Sequence, residues 1–329
     1  MSNSDDDKPD MTETGLNEPP VNEHGFNQPP INEPRASRSR TNQAGATKRL
    51  KSPPTINVRG APAGGRNLQV AIATGLTLAA LVVGLLYLGA GPFFGLAFIV
   101  ILVAQGELYM ATKKAGYNPA TALGLASGGV LMLGVFYKGL SAAGIVLFLT
   151  MTFCVVWYLA VEARSNLVVN FGITMFGVVY IPVLGSFAGL LASRADGRGV
   201  TIAALGAAAV YDVIAYAAGS RFGKTPLAAS ISPNKTKEGA VVAGICIIIV
   251  GALAGPHLGP WTAGQAALVG VAVAIVAPIG DLFESMLKRD MGIKDMGTLL
   301  PGHGGALDRI DAMLFVAPVV FLSLKLFGY

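Results

Sequence analysis

From residue 68 onward the chain is a series of long apolar blocks separated by short polar joints. Nine such blocks can be read, at 68–88, 91–112, 118–137, 139–160, 167–192, 200–219, 239–259, 264–286 and 308–328. Each is close to the roughly 20 helical residues that a hydrocarbon core requires. Gly and Ala dilute the third and sixth blocks, and these are the residues that let membrane helices pack closely. The pattern predicts an all-α, polytopic integral membrane protein of about nine transmembrane helices, occupying residues 67–329. Residues 1–66 differ in kind. They are rich in Asn, Pro, Ser and Gly and poor in large apolar residues, so a disordered tail is expected. A ten-residue unit beginning at Gly15 recurs at Gly25, and two copies do not make a solenoid.

Composition supports the membrane reading: 53% of residues are hydrophobic and only 13% charged, too apolar for an ordinary soluble domain. Cys154 and Cys246 both fall inside blocks, where small apolar core positions are expected, and no disulfide framework or Cys/His zinc pattern is present. The tail is acidic first and basic afterwards. Between Arg35 and Arg66 there are eight basic residues and no acidic ones, which places this stretch against anionic lipid headgroups or makes it a topology signal. It is not a secretory signal peptide, because the first apolar run begins too late.

Nine spans put the termini on opposite sides. With the tail inside, 20 of the 24 Lys and Arg residues lie on the inner side, and only Lys138, Arg194, Arg198 and Lys325 lie outside. The positive-inside rule therefore favours N-in, C-out. The acids within or bordering spans then fall toward the cytoplasmic ends: Glu107, Glu162, Asp281, Glu284, Asp308 and Asp311, with Asp212 about two thirds of the way across. Carboxylates inside a bilayer are costly unless paired, cation-bound or hydrated. Their bias to one face points to a site reached from the cytoplasm.

Asp281, Glu284, Ser285 and Lys288 are spaced i, i+3, i+4 and i+7 and share a helical face. Asp308 and Asp311 share a face at the start of the last span. The chain between must return to the same membrane surface, so the two acidic faces can meet. Oxygen-only ligands suit Mg²⁺ or Mn²⁺ better than zinc. Lys288 and Arg309 can hold phosphate oxygens, and Gly302-His303-Gly304-Gly305 lets backbone N–H groups approach an anion. The bland alternative is a buried ion-pair network without a ligand. A second polar cluster joins spans six and seven, with Lys224, Ser232, Lys235, Thr236 and Glu238. It offers a triphosphate donors and positive charge. Asp212 and Tyr216, i and i+4, lie on the helix leading into it.

The run Ser285, Lys288-Arg289, Lys294-Asp295, Pro301, His303-Gly304-Gly305, Asp308-Arg309 and Asp311 resembles the signature of the phosphatidate cytidylyltransferases (CDP-diacylglycerol synthases). Asp212 with Ala215-Tyr216, Phe222-Gly223-Lys224, Ile231-Ser232-Pro233, Lys235-Thr236 and Glu238-Gly239 are similar to that family as well. Lys237 departs from it, standing where many relatives carry an aromatic. The resemblance implies transfer of a cytidylyl group from CTP to phosphatidate, giving CDP-diacylglycerol and pyrophosphate. The charge count puts the site on the cytoplasmic side, and with no recognisable organelle address the cell (inner) membrane is the expected location. The resemblance also implies Mg²⁺, with K⁺ as an option for a second cation, and a metal pair held by the acids matching Asp281 and Asp308, beside Glu284. Catalytic work would fall to Asp281, Asp308, Lys288, Arg309 and Asp311. Lys224, Lys235 and Arg309 would clamp phosphates, with Ser232 and Thr236 as polar contacts, and His303 would donate to a phosphate or shape its loop. Expected partners are CTP, phosphatidate, anionic headgroups along the tail and, as an option, a second copy in a homodimer; nucleic acid is not among them.

Two other classes of protein share parts of this pattern. A CTP-dependent polyprenol or phytol kinase would also use CTP at a membrane, but the completeness of the Ser285–Asp311 signature argues against it. A secondary transporter would place ionisable groups near the midplane and show paired repeats, and neither is seen.

Overall fold

The computed structural model describes residues 68–160, 166–297 and 304–329. The tail, Glu162 and His303 fall outside that range. The chain is mainly helical, and every apolar block becomes a helical rod: α1 (Leu68–Leu88), α2 (Ala90–Lys114), α3 (Thr121–Lys138), α4 (Ser141–Ala160), α5 (Leu167–Val178) continuing through a π-helical turn (Val179–Val183) into α6 (Leu184–Ala192), α7 (Gly197–Phe222), α8 (Lys237–Leu258), α9 (Ala263–Asp290) and α10 (Leu307–Leu326). Among the described residues seven rods are long and apolar enough to cross a membrane, with α5 and α6 counting as one. The other two are α1 and α10, and α10 carries Asp308, Arg309, Asp311 and Lys325. The π turn holds Pro182, which lacks the N–H that a regular turn would use.

The all-helical expectation needs one correction. Between α7 and α8 two short strands, β1 (Pro226–Ala228) and β2 (Ser232–Thr236), form an antiparallel pair with Pro226 opposite Thr236 and Ala228 opposite Ser232. An isolated hairpin is marginal in water, and the segment has no apolar alternation to announce it. It is held from outside. The Glu238 carboxylate accepts the backbone N–H groups of Lys224 and Thr225 at 3.1–3.2 Å, and Arg289 Nε donates to the Ile231 carbonyl at 3.2 Å.

One packed cluster joins α7, α8, α9 and α10 through residues such as Ala208, Tyr211, Ile247, Val273 and Val316. A second joins α2, α3, the π turn and α10 through Leu108, Met132, Ile181 and Leu314. α10 is thus shared by both halves. Outward-facing Phe148, Ile245, Ile249 and Leu253 are exposed, as expected of faces that meet hydrocarbon. Cys154 is buried, Cys246 half-buried, and both are free thiols.

Candidate active site

The helices end where the charges gather. Asp281, Glu284 and Lys288 lie on the last turns of α9, and Asp308 and Asp311 on the first turns of α10. The two helices meet closely because residue 280 is glycine: a Cβ there would lie 2.7 Å from the Asp311 carbonyl oxygen and 3.1 Å from the Ala312 Cα. A similar approach seats the hairpin. A Cβ on Gly239 would lie 2.6 Å from the Ala215 carbonyl oxygen and 3.0 Å from the Gly219 Cα, so the start of α8 lies against α7.

The result is a cluster of three carboxylates. Oxygens of Asp281, Glu284 and Asp311 lie within 4.8 Å of one another. Glu284 is fully buried, Asp311 nearly so, and Asp281 half-buried. Two opposed oxygens on a Mg²⁺ stand about 4 Å apart, given bonds of about 2.1 Å, so the cluster is close to the size of a cation cage. Glu284 Oε1 has no hydrogen-bond partner among the described residues. Buried carboxylates need compensating charge, and two lysines supply it. Lys235, on β2, is ion-paired with Asp281. Lys288 is ion-paired with Glu284 one turn earlier and reaches Asp308 Oδ1 at 2.8 Å. Burial pushes the Lys235 ammonium below the ordinary lysine value, against the opposing pull of Asp311 and Asp212. Asp212, exposed on α7, is near enough to Asp311 and Lys235 to interact with both charges.

The cluster sorts the two acids of α10. Asp311 joins Asp281 and Glu284. Asp308 instead binds the incoming loop: its Oδ2 accepts the N–H groups of Gly305 at 2.7 Å and Met296 at 3.1 Å. Gly304, at φ +80°, leaves room for that carboxylate, since a Cβ would lie 2.9 Å from Asp308 Oδ2. The Gly305 amide is therefore donated to Asp308. Thr236 and Glu238 also have scaffold partners: Thr236 Oγ1 caps α8 by accepting the Gly239 N–H at 3.2 Å, and Glu238 holds the hairpin base. Ser232 is half-buried at the start of β2, while Lys224 and Arg309 are exposed at the rim.

A further acid lies on the same side of the bundle. Glu107, on α2, is buried, and its Oε2 accepts the Leu307 N–H at 3.0 Å. A Cβ on Gly297 or Gly305 would lie 2.1 or 2.5 Å from a Glu107 oxygen, so both glycines pack directly on this carboxylate. The available signal was an acid inside an apolar block, which is functional by default.

Fold and site together define a multi-pass helical membrane protein with a cluster of three carboxylates at one end of its bundle. The chain belongs to the Cytidylyltransferase family, whose model matches residues 69–327. It is 34% identical over 293 residues to the phosphatidate cytidylyltransferase of Mycobacterium leprae, covering 84% of this chain and 94% of that protein. It is 32% identical over 307 residues to the protein of the same name from Mycobacterium bovis, covering 87% and 99%. A shorter match, 47% identical over 108 residues, is to the phosphatidate cytidylyltransferase of Helicobacter pylori, covering 32% and 40%.

Proposed function

We propose that this protein transfers the cytidylyl group of CTP to phosphatidate, giving CDP-diacylglycerol and pyrophosphate. The reading rests above all on the convergence of Asp281, Glu284 and Asp311 with Lys235 and Lys288 in a chain of this family. A phosphate oxygen of phosphatidate attacks the α-phosphorus of CTP, and the bond from that phosphorus to the β-phosphate bridge oxygen breaks. Both reactants are anions, so their approach needs cationic screening. The lipid phosphate is already largely ionised near neutral pH, and no general base is assigned.

The three carboxylates and the unpartnered Glu284 Oε1 fit a hard divalent cation, and Mg²⁺ is the proposed resident. Bound there, it would screen the two phosphates and stabilise the leaving pyrophosphate. K⁺ remains the option for a second cation. Lys235 and Lys288, at present engaged with carboxylates, are the nearest cations for triphosphate oxygens, and Lys224 and Arg309 extend the positive rim. Asp308 holds the backbone amides of Gly305 and Met296, and Ser232 adds a hydroxyl on the hairpin.

All nine rods are proposed to cross the membrane, N-in and C-out, with the carboxylate end facing the cytoplasm of a bacterial cell and the basic tail against anionic headgroups. The charge count supports this orientation, since the joints at the carboxylate end carry most of the Lys and Arg. Purified protein given phosphatidate, Mg²⁺ and CTP labelled in the cytosine or at the γ-phosphate tests the reaction. Cytosine label is expected in lipid and γ-label in pyrophosphate. Label from the γ-phosphate entering lipid would instead identify a kinase.

A further inference from the structure

α7 begins and α8 ends at the face opposite the carboxylate cluster, and there the joints α1–α2, α6–α7 and α8–α9 surround an open polar hollow of about 740 Å³. Arg194, Arg198 and His257 line it. Arg194 is neutralised by Asp196, with Nε 2.8 Å from Oδ1. Arg198 has no carboxylate partner among the described residues, and its guanidinium lies over the Tyr87 ring, 4.4 Å from the centroid. Such a cation–π contact fixes the arginine without cancelling its charge. Cations are scarce at this end by the positive-inside count, yet two of its four lie within five residues and line one hollow.

Directly below is an apolar groove of about 220 Å³ between α7, α8 and α9, and Leu258 lines both spaces. On α7 the lining runs from Gly199 in the hollow to Val210 in the groove. At 1.5 Å per residue that is about 16 Å, roughly half of a hydrocarbon core of about 30 Å, so hollow and slot together reach about one leaflet deep. Trp261 lines the groove, is 4% exposed, and its Nε1 has no hydrogen-bond partner. A buried indole N–H ordinarily finds an acceptor.

We propose that the hollow and groove together bind one anionic phospholipid from the leaflet opposite the carboxylate cluster. Its phosphate lies at Arg198 and His257, an ester carbonyl accepts from Trp261 Nε1, and one acyl chain fills the slot. A free phosphate would leave the slot and the indole unused, and a zwitterionic lipid would leave Arg198 without a net counter-charge.

The test is native mass spectrometry on delipidated full-length protein, titrated separately with phosphatidylglycerol, phosphatidylcholine and glycerol 3-phosphate. Wild type should bind one phosphatidylglycerol about five-fold or more tighter than phosphatidylcholine, the effect of about one interfacial cation, and should not hold glycerol 3-phosphate. Arg198→Gln should remove the preference between the lipids. Gly206→Leu, at a groove position where a Cβ meets nothing within 4 Å, should weaken both. Asp281→Asn should leave binding unchanged, which separates this site from the reaction centre. Equal affinity for the two lipids, an unaltered preference in Arg198→Gln, or glycerol 3-phosphate binding as tightly as the lipid would overturn the proposal. So would a Gly206→Leu variant that changes only the monomer–dimer distribution, because the groove would then be a contact between copies.

Discussion

The carboxylate of Glu107 on α2 accepts the backbone N–H of Leu307, the first residue of α10, across 200 residues of chain. The N–H groups of a helix's first turn have no partner within the helix, and here a buried acid from the other half of the bundle supplies one. The same carboxylate packs on Gly297 and Gly305, and Asp308 accepts the N–H groups of Gly305 and of Met296, next to Gly297. Glu107 therefore fixes the position from which α10 presents Asp308 and Asp311.

Glu107→Ala should leave the Leu307 N–H unpaired and lower stability by about 1–3 kcal/mol. Turnover should fall by about ten-fold or more through misplacement of α10. Glu107→Gln keeps a carbonyl acceptor of the same length and should retain most of both. Thermal unfolding and cytidylyl-transfer assays on the two variants check this, and equal losses in both would remove the hydrogen bond as the cause.

The acids of α10 should fail in different ways. The family resemblance pairs Asp281 with Asp308 at the metal, whereas the carboxylates that converge are Asp281, Glu284 and Asp311. Asp281→Asn and Asp311→Asn should keep the fold and reduce turnover on the order of 100-fold or more, with a higher Mg²⁺ requirement. Asp308→Ala should primarily loosen the loop, seen as a lower melting temperature and faster proteolysis between 290 and 306. A raised Mg²⁺ requirement in Asp308→Asn with Asp311→Asn unaffected would reverse the assignment.

Lys288 bridges Glu284 and Asp308 with little exposure. Removing one partner of a buried ionic group costs about 3–5 kcal/mol, because charge is left uncompensated. Lys288→Met should therefore destabilise the metal-free protein by about that amount. Added Mg²⁺ should restore part of the loss by supplying the missing positive charge, whereas wild type should gain less. Melting curves with Mg²⁺ and with a chelator measure the difference. Equal Mg²⁺ shifts in the two proteins would place the cation away from Glu284.

The helical rods were legible because long apolar runs mark helices, seven of them of membrane-crossing size among the described residues, and block limits such as 139–160 and 167–192 fall within two residues of the observed ends. The hairpin was not, since Pro226–Ala228 and Ser232–Thr236 are held by Glu238 and Arg289 rather than by their own pattern. Spacing put Asp308 and Asp311 on one face and could not say which would reach Asp281. That is decided by the Gly280 contact and by loop amides that turn Asp308 aside. Glu107 stayed without a role because its partner is 200 residues away and is a backbone amide, which carries no sequence signal.

α9 and α10 cross closely at Gly280. A methyl group there would sit 2.7 Å from the Asp311 carbonyl oxygen and 2.8 Å from the Phe315 ring. The first obstacle is backbone, so relief requires the helices to separate. Overpacking of this kind costs about 1–3 kcal/mol, and separation also moves Asp311 away from Asp281 and Glu284. Gly280→Ala should thus lower both the melting temperature and turnover, and Gly280→Val should lower them further. Gly264→Ala is the control on the same helix, since a Cβ at that position meets nothing within 4 Å. It should be neutral or slightly stabilising, because alanine is the better helix former. If Gly280→Ala behaved like Gly264→Ala in both measurements, close helix approach would not be what assembles the carboxylate cluster.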